Sequence, residues 1–187
     1  MNLSYLPNVI SGLRIVLVVP LVMLLARAEL GAALAVFALA GFSDGLDGYL
    51  ARRYGWFTKL GGWLDPIADK AMLVSTYVML GWWLHLIPIW LPALVILRDV
   101  VIVTGGLVYY LWVEKVEAEP SWLSKINTVM QILLVMAVMV DHSLMVLPAA
   151  LLDVLVYGVL VTTVLSGAGY VWVWSRRAVH AKRGIVE

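Results

Sequence analysis

Four aspartates stand in this chain where aspartate is least expected. Asp44 and Asp47 lie toward the end of one apolar stretch, and Asp65 and Asp69 lie near the start of the next. A carboxylate at the centre of a membrane helix opposes insertion by roughly 2.5–3.5 kcal/mol. Such groups must face a polar interior, pair with cations or bind metal. Spacing narrows the choice. Asp44, Asp47, Gly48 and Ala51 fall at i, i+3, i+4 and i+7 and share one helix face, with Arg52 one turn beyond Gly48. Gly61, Asp65 and Asp69, at i, i+4 and i+8, form a second stripe. The two stretches are joined by a short basic turn, so antiparallel helices could bring all four carboxylates together. The small residues Gly48, Ala51 and Gly61 would allow close approach of backbone or ligand.

Four carboxylates in a small volume cannot all stay ionised without compensation. Hard divalent cations with oxygen ligands are their natural partners, magnesium or manganese rather than zinc, because no His or Cys joins the group. His85, His142 and His180 fall in predicted loops or the tail, and the chain has no cysteine. The plainer alternative is a set of ion pairs at helix ends, Asp44 with Arg52 or Asp69 with Lys70. Four aspartates in register on two helices argue against it.

The elements that must hold these groups are membrane helices. Of 187 residues, 63% are hydrophobic and only 13% charged, against about a quarter charged in soluble domains. Mean hydropathy is +0.96. About six stretches reach the length needed to cross a bilayer: 9–27, 31–52, 64–84, 89–112, 122–140 and 145–174. The expected fold is therefore all-α and integral to the membrane, with six transmembrane helices in one catalytic domain, residues 1–187. Arg52, Arg53, Lys59, Lys115, Lys125 and the tail residues Arg176, Arg177, Lys182 and Arg183 fall on one side of a six-span topology. By the positive-inside rule both termini are cytoplasmic. The carboxylates then sit on the cytoplasmic side. A directly inserted protein of the bacterial cytoplasmic (inner) membrane is the simplest setting, since residues 1–8 lack the charged start of a cleaved signal. Trp82, Trp83, Trp90, Trp122, Trp172 and Trp174 lie near span ends, as an interfacial aromatic belt requires. No basic block is long enough to track a nucleic acid. Four further charges, Arg14, Arg98, Asp99 and Lys125, lie in or beside the spans and are candidate substrate contacts.

The run from Asp44 to Asp69, DGLDGYLARRYGWFTKLGGWLDPIAD, resembles the signature of the CDP-alcohol phosphatidyltransferase family, D-x2-D-G-x2-A-R-x8-G-x3-D-x3-D. It matches every fixed position: Asp44, Asp47, Gly48, Ala51, Arg52, Gly61, Asp65 and Asp69. The opening PNVISGLR, residues 7–14, is similar to the family's N-terminal segment, and six spans agree with the family's fold. The resemblance implies two divalent metals on Asp44, Asp47, Asp65 and Asp69. It implies a CDP-linked lipid near Asp44, Gly48, Arg52, Gly61 and Asp65, with Asp69 as the base that deprotonates the attacking hydroxyl. It also implies a homodimer. The chemistry accords with this, because attack at such a phosphorus needs positioning and charge neutralisation more than covalent catalysis.

The acceptor is read from the second half. Phosphatidylglycerophosphate synthases of the family typically show R-E-x6-R in the fourth helix and G-K-x-K-T-x2-Q opening the fifth. Here Arg98 is followed by Asp99, Gly106 stands where the second Arg would be, and Asn127 replaces the second Lys after Lys125. Two cations fewer favour an acceptor less charged than glycerol 3-phosphate. The segments RDVVIVTG and SKINTVMQ resemble the eukaryotic-type cardiolipin synthases of the family. That resemblance implies CDP-diacylglycerol as donor and phosphatidylglycerol as acceptor, with Arg98, Lys125, Asn127 and Arg14 as acceptor contacts. No phospholipase-D-style H-x-K-x4-D pattern occurs. The alternatives are another enzyme of the family, first a phosphatidylglycerophosphate synthase, or a small divalent-cation transporter lined by the aspartates. Confinement of the acidic group to one half of the spans, with Arg52 among it, disfavours the transporter.

Overall fold

The computed structural model describes residues 6–54, 61–112 and 121–182. These residues form six α-helices and, among them, no strand: α1 Leu6–Ala26, α2 Leu30–Tyr54, α3 Gly61–Val78, α4 Trp90–Trp112, α5 Trp122–Asp141 and α6 Ala149–Lys182. The helices coincide with the predicted stretches in number and order. Two ends differ for physical reasons. The third stretch leaves α-geometry at Val78 and continues as a π-helical turn over Met79–Trp83. There the Leu84 N–H bonds the Met79 carbonyl at 2.9 Å and the Leu86 N–H bonds the Leu80 carbonyl at 2.8 Å, with His85 at φ 55°. The sixth helix starts only after Pro148, since a residue before proline avoids the α region, and runs on to Lys182.

Helix α1 ends in a Schellman turn. The Glu29 N–H bonds the Leu24 carbonyl and the Ala28 N–H the Leu25 carbonyl, both at 2.9 Å. Ala28 takes the left-handed position at φ 57°, where glycine is usual. This satisfies carbonyls that would otherwise be orphaned and turns the chain directly into α2.

The helices fall into two compact units. One comprises residues 1–89 with 135–148, and the other residues 90–134 with 149–187. In the first, α1 packs along both α2 and α3 and touches the π-turn. Its core includes Leu21, Leu25, Ala33, Phe37, Ala40, Met72, Tyr77 and Leu80. The indole N–H of Trp83 reaches the Ala26 carbonyl at 3.4 Å, tying the π-turn to the end of α1. In the second unit α4 packs on α6, and α5 is joined to both by side-chain hydrogen bonds.

Several helices are inside-out relative to soluble ones. On α1, Arg14 is buried while Leu13, Val16, Val19 and Met23 are exposed. On α5, Asn127 and Gln131 are buried while Ile126, Val129 and Leu133 are exposed. On α6, Thr163 and Ser166 are buried while Val161, Val164 and Leu165 are exposed. A helix in water buries its apolar stripe. Polar inside and apolar outside is the arrangement suited to lipid. By length and composition, Trp122–Asp141 and Ala149–Val173 can each cross a bilayer, and Gly12–Ala26 and Leu30–Gly45 are shorter apolar stretches.

Candidate active site

The first unit brings the signature together through α1. Arg14 sits about two turns into that helix and is 2% exposed. Its Nη1 lies 2.5 Å from Asp44 Oδ1 on α2, and the same nitrogen bonds Asp69 Oδ1 on α3. Two carboxylate oxygens from two helices therefore converge on one cationic nitrogen. Their separation cannot exceed the sum of two short hydrogen bonds. Both carboxylates stay partly open, Asp44 at 43% and Asp69 at 51%. Asp69 follows Ala68, which is fully buried, so the helix turns its small residue inward and keeps the acid at the rim.

Asp47, Gly48 and Arg52 lie on the same continuous helix as Asp44, and Gly61 and Asp65 lie two turns and one turn before Asp69 on α3. The side chains of Asp47, Arg52 and Asp65, and the surroundings of Gly61, fall outside the described residues. Among the described residues no three acidic or His side chains form a metal-binding group. What is described fits a divalent ion in donor type. The oxygen donors of Asp44 and Asp69 come from two helices and are of the type a hard divalent ion takes, with the guanidinium of Arg14 standing between them.

The spacing argument brought Asp44 and Asp69 together, and Arg14, read there as an acceptor contact, is the group that joins them. The signal for its actual partners was charge alone. A guanidinium buried in an apolar helix must find carboxylates, and the signature supplies them.

The second unit holds a separate polar interior. Arg98 on α4 donates to Asp99 at 2.7 Å, to Ser124 on α5 at 2.5 Å and to Ser166 on α6 at 2.7 Å. One turn deeper, the carbonyl oxygen of Asn127 accepts from Thr162 at 2.9 Å and Thr163 at 2.8 Å. Asn127 is fully buried, and Gln131 follows it on the same face of α5. Arg98 Nε and Asn127 Nδ2 are buried donors with no hydrogen-bond partner among the described residues. Such donors are unfavourable when left unmet. Lys125, by contrast, is exposed, with Nζ 4.9 Å from the centroid of the Trp122 ring in a cation–π contact. Of the four predicted acceptor contacts, Arg98 and Asn127 share this interior, Lys125 lies outside it, and Arg14 belongs to the carboxylate site. Ser124, Thr162, Thr163 and Ser166 were not singled out by sequence, because hydroxyls in helices carry no periodic signal of their own.

Comparison with known proteins agrees with the signature. The family model described as CDP-alcohol phosphatidyltransferase matches residues 4–174. The chain is 34% identical over 150 residues to a cardiolipin synthase (CMP-forming) of Rattus norvegicus, covering 71% of this chain and 49% of that protein. It is 35% identical over the same length to the Homo sapiens protein of that name, with the same coverage. It is 34% identical over 99 residues to the CDP-diacylglycerol–glycerol-3-phosphate 3-phosphatidyltransferase of Haemophilus influenzae, covering 52% of this chain and 54% of that protein. The chain thus spans about half the length of these curated relatives. With nearly its whole length matched and each fixed signature position present, the chain belongs to the CDP-alcohol phosphatidyltransferase family.

Proposed function

We propose that this protein transfers the phosphatidyl group of CDP-diacylglycerol to phosphatidylglycerol, giving cardiolipin and CMP. The observation that carries the reading is the convergence of Asp44 and Asp69, two fixed positions of the signature, on one cationic point. The choice of acceptor is supported by relatives named cardiolipin synthase (CMP-forming) and by the missing cations at 106 and 127. The proposed setting is a bilayer crossed by all six helices, in a bacterial cytoplasmic membrane, with a cytoplasmic site and a homodimeric assembly. The outward apolar faces of α1, α5 and α6 support the bilayer setting.

In this reading the terminal hydroxyl of the phosphatidylglycerol headgroup attacks the β-phosphorus of CDP-diacylglycerol. A new P–O bond forms, and the bond from that phosphorus to the oxygen bridging it to CMP breaks. CMP leaves with the electron pair. Asp69 accepts the proton of the attacking hydroxyl. Arg52 binds a diphosphate oxygen, for which a planar guanidinium is better shaped than an ammonium. Two magnesium or manganese ions on Asp44, Asp47, Asp65 and Asp69 would stabilise charge on the entering and leaving oxygens. The leftover donors Arg98 Nε and Asn127 Nδ2 are suited to the phosphodiester of the acceptor.

A second reading has specific support, since the Haemophilus relative names glycerol 3-phosphate as acceptor. The two separate in one experiment. Purified protein is incubated with CDP-diacylglycerol and magnesium, with phosphatidylglycerol in one tube and glycerol 3-phosphate in another, and lipid products are read by mass spectrometry. Cardiolipin in the first tube alone is expected. Phosphatidylglycerophosphate in the second alone would keep the reaction type and overturn the acceptor.

A further inference from the structure

Arg14 lies outside the Asp44–Asp69 signature, yet it occupies the centre of the described site. Its guanidinium is 2% exposed and bonds carboxylates of two helices through one nitrogen. Arginine cannot escape such a place by losing its proton. Two carboxylates drawn this close repel one another unless a cation lies between them. Arg14 is a cation in that position, and it is covalently part of the chain.

We propose that Arg14 is a resident counter-cation. It holds Asp44 and Asp69 together, and it competes with a divalent ion for the same carboxylate oxygens. The proposal rests on the metal-dependent reading above and adds a role for a residue of α1. The charges explain why the arrangement is poised. One guanidinium against two carboxylates leaves the three groups with an excess negative charge, so a dication is still attracted. Once a dication holds the carboxylates, the guanidinium is a neighbouring like charge and must withdraw. Arg14 therefore fixes the spacing of the two carboxylates and weakens metal affinity in doing so. A purely architectural ion pair would not weaken metal binding. Its removal would lower stability equally with and without metal.

The test uses the full chain in lipid nanodiscs. Manganese uptake is followed by the electron paramagnetic resonance signal of free Mn2+, and thermal unfolding by tryptophan fluorescence, with chelator or with saturating Mn2+. Arg14→Gln should bind Mn2+ at least about tenfold more tightly than wild type, a discounted expectation for removing a like charge about 4 Å away at an effective dielectric near 20. Its melting temperature should fall well below wild type in chelator, and Mn2+ should close most of that gap. Arg14→Lys, which keeps the charge, should stay near wild type in both readouts. Uptake unchanged or weakened in Arg14→Gln, or a melting gap that saturating Mn2+ leaves intact, overturns the proposal while leaving the metal reading standing. An Arg14→Lys protein that binds as tightly as Arg14→Gln would assign the effect to lost packing and equally overturn it. Wild-type uptake no greater than that of Asp44→Asn would refute the metal reading itself, and the proposal with it.

Discussion

Asp69→Asn should lower the turnover number by about 10²- to 10⁴-fold, the range that a positioned general base contributes, while binding of CDP-diacylglycerol stays measurable. The substitution nearly preserves volume, and the amide oxygen can still accept from Arg14, so α1 and α3 should remain joined. The basic oxygen is what disappears. Asp69 is suited to the role because half of its surface is open even though its Oδ1 is engaged by the guanidinium. Single-turnover kinetics in nanodiscs, with donor binding measured separately, check the expectation. Full turnover in clean protein would remove Asp69 as the base. Loss of donor binding in parallel with turnover would assign it to holding the diphosphate instead.

Arg98→Met should destabilise the protein by about 3–5 kcal/mol, the usual cost of removing one member of a buried ion pair. The variant loses hydrogen bonds to Asp99, Ser124 and Ser166, and with them the side-chain link from α4 to α5 and α6. Asp99 is 12% exposed and would lose the guanidinium that donates to it. Adding Asp99→Asn to Arg98→Met should therefore recover part of the loss. Thermal unfolding of the two variants and wild type decides the matter. An unchanged melting temperature in Arg98→Met would mean that the three bonds contribute no more than an exposed pair does.

The two halves of the chain were legible to different degrees. Six helices followed from hydrophobic length, because an apolar run of about 20 residues has few other folds open to it. The pairing of Asp44 with Asp69 followed from helical spacing on either side of a short turn. Arg14 was visible as a charge in an apolar helix, but its partners lie 30 and 55 positions away in sequence. Only the packing of α1 along both α2 and α3 brings them to it. The interior of the second unit was half visible. Arg98 and Asn127 stood out by type, whereas Ser124, Thr162, Thr163 and Ser166 belong to that interior only because α5 and α6 turn those faces inward. The inverted pattern of α5, with polar Asn127 and Gln131 inside and apolar Ile126, Val129 and Leu133 outside, is present in the sequence as a periodicity. It could have been read there by asking which face of a lipid-facing helix is polar. The π-turn at Met79–Trp83 had no comparable signal. It arises where the chain end is drawn to α1, with Trp83 reaching the Ala26 carbonyl.

The central claim is that a nucleotide-activated lipid is consumed, with CMP as the leaving group. Its most direct test is the product balance of purified protein given phosphatidylglycerol with and without CDP-diacylglycerol, in magnesium or in chelator, with CMP, glycerol and cardiolipin quantified together. The account predicts cardiolipin and CMP in equal amounts, only when CDP-diacylglycerol and magnesium are both present, and no glycerol. Cardiolipin formed from phosphatidylglycerol alone with release of glycerol, or CMP released without any lipid joined to the phosphatidyl group, would contradict it.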